Sequence, residues 1–182
     1  MSTERTDNTL PTDLRQKSHT RPVRLQDPVY VNSIPPCNHA CHAGENNQAS
    51  LDKAQAGEFE EAWRNLVQNK PMPSIHGRVC YHPCEDACNR GQVDQPVSIH
   101  AVERFLGDLA LAAGWLPKIP AEASGKKILV VGAGPSGLSA AFHLRMMGHE
   151  VEIRDAGPMA GGMMRFGIPA YRMPREVLDG EV

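Results

Sequence analysis

Apolar residues recur along this chain at a helical period first and a strand period later. In Leu51–Lys70, the residues Phe59, Trp63, Leu66 and Val67 fall at i, i+4, i+7 and i+8, one face of a helix that Pro71 is expected to stop. In Ile99–Ala113, Ile99, Val102, Phe105, Leu106 and Leu109 form a second stripe. Ser98 is its expected N-cap and Gly114 the residue just past its end. Gly77–Gly91, between the two, reads as a cysteine-rich loop. Further on, Ile128–Val131 is a short, continuous apolar run that predicts a buried strand. Ser136–Met147 predicts a helix ended by Gly148, and Glu150–Ile153 a second strand, which together make one β-α-β unit.

These patterns divide the chain. Residues 1–36 are polar with a few apolar positions at the end (Val29, Tyr30, Val31, Ile34), and predict a mobile arm that docks through that last stretch. Residues 37–115 are helical and hold all five cysteines. Residues 116–125, with two prolines, a serine and a glycine, read as a linker. Residues 126–182 are the α/β part.

Composition narrows the function. A chain of 182 residues, 41% apolar and 22% charged, is ordinary globular material for one domain or two small ones. A net charge of −2 argues against the basic stripe of a nucleic-acid binder. No apolar run is long enough to span a membrane. Met1–Arg15 lacks the apolar core of a secretory signal. An odd number of cysteines without such a signal predicts a cytoplasmic protein whose thiols serve a metal or a reaction rather than disulfides.

Gly132-x-Gly134-x-x-Gly137 follows one predicted strand, opens a helix, and precedes Asp155 at the end of the next strand. In that context the motif predicts a dinucleotide site. Gly132 permits the tight turn, Gly134 lets backbone approach a pyrophosphate, and Gly137 with Ala141 allows close helix–strand packing. The helix N-terminus offers free N–H groups to phosphate, and Asp155 can accept from a ribose hydroxyl. The motif alone does not separate FAD from NAD(P).

Cys37-x3-Cys41 is followed by Cys80-x3-Cys84-x3-Cys88. Three readings compete: an iron–sulfur centre, a zinc site completed by nearby histidines (His39, His42, His82), or reduced cysteines without metal. The three-residue gaps depart from the two-residue gaps of zinc ribbons and favour iron–sulfur. Pro83 places Cys80 and Cys84 on a loop rather than one helix face.

Gly77-Arg-Val-Cys-Tyr-His-Pro-Cys-Glu-Asp-Ala-Cys-Asn-Arg90, followed by Val97-Ser-Ile-His-Ala-Val-Glu-Arg-Phe105, resembles the N-terminal iron–sulfur domain of the glutamate synthase small subunit, which also occurs in dihydropyrimidine dehydrogenase. The α/β part is similar to the same family in Val130–Leu138, in Gly161-Gly-Met-Met-Arg-Phe-Gly-Ile-Pro169 and in Tyr171-Arg-Met-Pro174. The resemblance implies a helical iron–sulfur domain followed by the β-α-β start of a Rossmann-like FAD-binding domain. It implies electron flow from NADPH through FAD and [4Fe–4S] clusters to a redox partner protein or subunit. One cluster would be held by Cys41, Cys80, Cys84 and Glu103. The second family cluster uses Cys37- and Cys88-type positions plus two upstream cysteines that this sequence lacks, so one cluster is expected, with Cys37 and Cys88 left as neighbouring free thiols. FAD would rest on Gly132, Ala133, Gly134, Pro135, Ser136, Gly137 and Asp155, with Gly162 and Met163 near the flavin.

This sequence departs from the family at His42, where a proline is usual, and at Asn47, where an apolar residue is usual. Two strands and one helix fall short of an independently stable α/β domain, so the FAD-binding part is expected to be incomplete and the NADPH domain missing. The chain alone is then not expected to run NADPH-to-flavin hydride transfer. A non-catalytic metal-binding module that docks on a flavoprotein, or an inactive fragment of the family enzyme, is the alternative. Outside these motifs, Phe59, Trp63, Met159, Met163 and Met164 read as packing, and His76 and His100 as structural.

Overall fold

The structure is a computed structural model that describes residues 34–119 and 122–182. The arm expected at residues 1–36 therefore lies outside the described residues except for its last three, of which Ile34 is exposed. Six α-helices come first: α1 (Pro36–Ala40), α2 (Asn47–Gln55), α3 (Phe59–Val67), α4 (Pro73–Val79), α5 (Pro83–Asp86) and α6 (Ile99–Ala113), with a 3₁₀ turn at Asn89–Gln92. Then follow β1 (Lys127–Val131), α7 (Pro135–Met146), β2 (Glu150–Arg154), α8 (Met163–Phe166) and α9 (Arg175–Glu181). Among the described residues no helix is long and apolar enough to cross a membrane.

The single helix expected over Leu51–Lys70 is two. Gly57 takes φ +79° and breaks the run, so α2 and α3 pack against each other instead of continuing. The stripe itself is real: Trp63, Leu66 and Val67 are buried with Ala62 against Leu106 and Ala110 of α6. Phe59 is half-exposed and meets Phe105 edge to face at 5.4 Å. Helix α6 matches its expected span, and Gly114 adopts the left-handed conformation that ends it. Its N-terminus differs: Ser98 makes no side-chain cap. Glu85, from α5, accepts instead from the His100 N–H at 2.8 Å.

Gly77–Gly91 is not a plain loop. It contains the end of α4, all of α5 and the 3₁₀ turn, because Pro73 and Pro83 each sit at a first helical position where the missing N–H costs nothing. Helix α4 crosses α6 backbone to backbone. A Cβ at Gly77 would lie 2.5 Å from Arg104 N, and one at Gly107 would collide with Ser74 N. Two glycines at the crossing thus bring α4, with Cys80 at its end, hard against α6, which carries Glu103.

β1 and β2 run parallel in register, Lys127 opposite Glu150 and Val131 opposite Arg154, connected by α7. β1 was expected to be buried; instead Leu129 is 53% and Val131 83% exposed. Among the described residues α7 covers one face of this two-stranded sheet, and the other stays open. The helical and α/β parts share a core. Met72 and Ile75 at α4 bury with Met164, Met173 and Leu178 from beyond β2. Glu181, in α9, accepts from the N–H groups of Ser74 (2.7 Å) and Ile75 (2.9 Å) and so caps α4 across the chain. Of the methionines read as packing, Met164 is buried, whereas Met159, ahead of α8, and Met163, its first residue, are exposed.

Candidate metal centre and dinucleotide loop

Helix ends place the cysteines. Cys41 follows the last residue of α1, Cys80 follows α4, and Cys84 is the second residue of α5. Between the last two, His82 adopts left-handed backbone angles (φ 57°, ψ 48°) and reverses the chain. This is an uncommon conformation for a non-glycine residue. The turn brings the His82 N–H to 3.4 Å from Cys80 Sγ, where it donates. Cys41, Cys80 and Cys84 then line one cavity of about 450 Å³, with Lys70 and His76 on its wall.

The three sulfurs are not all within 4.8 Å of one another. The compact trio is instead His82, Glu85 and His100, whose ligand atoms all lie within 4.8 Å of one another among the described residues. All five cysteines are unpaired. Burial pushes the Cys84 thiol up to about 11, partly offset by Lys70, so ligation must expel its proton.

Glu103 is buried on α6 but is not on the wall of this cavity. Its Oε2 accepts from Lys70 Nζ at 3.1 Å, and the same ammonium lies 2.5 Å from Glu45 Oε2. Glu103 Oε1 has no partner. Burial pushes Glu103 up to about 7; Lys70 opposes this, and Glu45 adds to it. One ammonium cannot neutralise two buried carboxylates, so the second is held toward its protonated form. Three thiols on one cavity suit an iron–sulfur group; Glu103, with its unpartnered Oε1, does not line that cavity, whereas Lys70, which it meets through Oε2, does.

Cys37 and Cys88 lie on the neighbouring elements α1 and just past α5, near enough for their charges to interact. Burial raises Cys37, while backbone N–H donation, first from Val97, lowers Cys88. Asn47 is fully buried and its Nδ2 donates to the Cys37 carbonyl at 3.1 Å, which is why a polar residue is tolerated there. His42 is exposed on the cavity rim. His76 is half-buried, and loss of water around its ring together with Lys70 pushes its pKa down to about 4. His100 Nδ1–H donates to Glu85 Oε1 (2.7 Å), and the His100 ring stacks on His82 at 4.0 Å. Sequence reasoning missed Lys70, Glu45 and Glu85. Lys70 stands at the end of a polar helix tail, where nothing local marks it, and its partners are 25 and 33 residues away.

The glycine loop joins β1 to α7. Gly132 takes φ +106°, and a Cβ at Gly137 would collide with the Gly132 carbonyl oxygen. Among the described residues a Cβ at Gly134 would meet just Gly162 Cα, at 4.0 Å, so the loop leaves open space before the α7 N-terminus, whose first N–H groups lack helical partners. Ala133 is buried, Pro135 is the first residue of α7, and Ser136 follows it. Asp155 accepts from the Ala133 N–H and the Gly157 N–H, both at 2.6 Å, which hold its carboxyl below the usual range. It thus fixes the loop from below. Gly162 packs on Gly134, and Met163 is 70% exposed.

Comparison with known proteins gives two family matches. Residues 31–115 match dihydropyrimidine dehydrogenase domain II, 4Fe–4S cluster, and residues 130–176 match an NAD(P)-binding Rossmann-like domain. The chain is 38% identical over 169 residues to the NADP(+)-dependent formate dehydrogenase subunit beta of Moorella thermoacetica, covering 81% of this chain and 24% of that one. It is 37% identical over 150 residues to an NADPH-Fe(3+) oxidoreductase subunit beta of Geobacter sulfurreducens, covering 81% and 22%. It is 35% identical over 132 residues to the glutamate synthase [NADPH] small chain of Bacillus subtilis, covering 72% and 27%. The chain spans about a quarter of the length of these relatives.

Proposed function

This chain belongs to the family of iron–sulfur oxidoreductases that includes the glutamate synthase small chains, and on that premise we propose that it is an electron-transfer segment working between a nicotinamide dinucleotide and a redox partner. The observation that carries the reading is the convergence of Cys41, Cys80 and Cys84 on one cavity, in a helical part that shares a core with the residues beyond β2. Three thiolates, with Glu103 as the fourth ligand, would hold a [4Fe–4S] cluster. Cys37 and Cys88 are left outside this set.

When bound, the cluster supplies one-electron exchange and FAD supplies hydride acceptance. The chain's own residues do the rest. Gly132, Ala133, Gly134, Pro135, Ser136 and Gly137 present backbone and helix N-terminus to a pyrophosphate. Asp155, released from part of its backbone bonding or using its remaining lone pairs, accepts from a ribose hydroxyl. Gly162 and Met163 would border the flavin. The His82 N–H donates to Cys80 Sγ and tunes it, as hydrogen bonds to ligand sulfurs do. A compartment that keeps thiols reduced, such as the cytoplasm, suits five unpaired cysteines. The relatives are named as subunits, which supports a partner subunit as the electron acceptor.

The test is anaerobic purification followed by iron, sulfide, zinc and flavin quantitation with a visible spectrum. About four irons and four sulfides per chain, with broad absorbance near 400 nm, is the expected result. About eight of each would place a second cluster at Cys37 and Cys88. Zinc without sulfide would overturn the electron-transfer reading.

A further inference from the structure

Lys70 is unused by the reading above, yet it is a charge held out of water, which is costly unless paired. Its side chain is 7% exposed and its ammonium lies between Glu45 Oε2 at 2.5 Å and Glu103 Oε2 at 3.1 Å. Burial alone would strip a lysine of its proton; here Glu103 and Glu45 outweigh burial and hold the charge. Lys70 also lines the cysteine cavity, and it is the only lysine or arginine among the described residues that do so. His76, on the same wall, is neutral.

A salt bridge kept only for stability would be a poor use of these residues, since an apolar set of similar volume is often as stable. The arrangement is also unbalanced: two carboxylates face one ammonium, and the outer oxygens, Glu45 Oε1 and Glu103 Oε1, make no hydrogen bond. On the opposite side, Cys41, Cys80 and Cys84 become thiolates on ligation and add further negative charge around the same ammonium. Charge and hydrogen bonds beside an iron–sulfur group are what set its reduction potential. A fixed cation favours the reduced, more negative form.

We propose that Lys70 is a potential-setting residue for the cluster: its ammonium, held in place by Glu45 and Glu103, lines the cysteine cavity, and its charge raises the reduction potential. This rests on the cluster reading given above. A merely structural Lys70 would affect folding and leave the potential where it was.

The experiment compares four anaerobically reconstituted chains: wild type, Lys70→Arg, Lys70→Met, and the charge-balanced double variant Lys70→Met with Glu45→Gln. Iron per chain is measured, and the one-electron couple is titrated with dithionite and followed by EPR. Lys70→Arg keeps the charge and is expected to keep the midpoint near wild type. Lys70→Met is expected to shift it to more negative values. The double variant, which keeps the wild-type net charge of this buried group with Glu103 as its one carboxylate, is expected to fold and to shift in the same direction by less, because the charge lost with Glu45 offsets part of the effect and Glu45 does not line the cavity. If Lys70→Met is too unstable to hold iron, the double variant decides. Iron-loaded Lys70→Met or double variant with an unchanged midpoint overturns the proposal alone. A wild-type chain that takes up no iron or sulfide overturns the cluster reading and the proposal with it.

Discussion

At the scale of single residues, chemistry and sterics make separable demands. Serine at Cys41, Cys80 or Cys84 removes a corner thiolate, and each variant is expected to lose most of its iron and its absorbance near 400 nm. Serine at Cys37 or Cys88 is expected to leave both unchanged; iron analysis of the five variants side by side checks this. The glycine loop gives a second contrast. Gly137→Ala drives a methyl into the Gly132 carbonyl and is expected to destabilise the fold by about 1–3 kcal/mol, the usual range for overpacking. Gly134→Ala meets almost nothing and is expected to melt like wild type while losing flavin, because the space it fills is where the pyrophosphate would lie. A thermal melt paired with flavin content separates the two. These motif residues were legible in the sequence because their spacing is local. Asp155 was legible as a residue, but its grip on the Ala133 and Gly157 N–H groups was not, since that depends on how the loop folds back over it.

At the scale of elements, caps come from distant chain. Glu181 closes the start of α4 with both carboxylate oxygens, more than a hundred residues away in sequence. Glu181→Ala leaves two N–H groups without that partner and is expected to cost about 0.5–2 kcal/mol, in line with lost helix caps. Burial pushes Glu181 up to about 7, with backbone donation from Ile75 and Ser74 opposing, from an ordinary value of 4.5. A carboxyl with a raised folded pKa makes its full contribution below the unfolded value and loses it as pH rises through 7. Glu181→Gln is therefore expected to flatten the fall in stability between about pH 4.5 and 7, seen as parallel urea midpoints at pH 5 and pH 7.5. Helices α3 and α6 were legible from their apolar stripes. The break at Gly57 and the Glu85 cap on α6 were not, because a glycine inside a periodic run is ambiguous and a cap from another helix leaves no local mark.

At the scale of the whole molecule, the two parts are held by one core rather than by the linker. Leu178 and Met173 are fully buried and lie against Met72 and Ile75. Leu178→Ala is expected to cost about 2–5 kcal/mol, as buried leucine truncations do. Both tryptophans, Trp63 and Trp115, lie in the helical part. If the core is shared, Leu178→Ala lowers the unfolding midpoint reported by tryptophan fluorescence; if the parts unfold independently, that midpoint stays at the wild-type value.

The apolar stripe over Ile99–Ala113, the β-α-β unit with its glycine loop, and the resemblance carried by the cysteine and glycine motifs were legible along the chain. Each is written in residues close together, where period, turn chemistry and spacing act directly. Tertiary structure alone decided that Cys41, Cys80 and Cys84 share a cavity while Glu103 stands behind Lys70. It also decided that α4 crosses α6 at Gly77 and Gly107, and that Glu181 caps α4. Those contacts join residues tens of positions apart. Their partners are selected by burial, since a charged or polar group removed from water must meet its complement wherever the chain brings it.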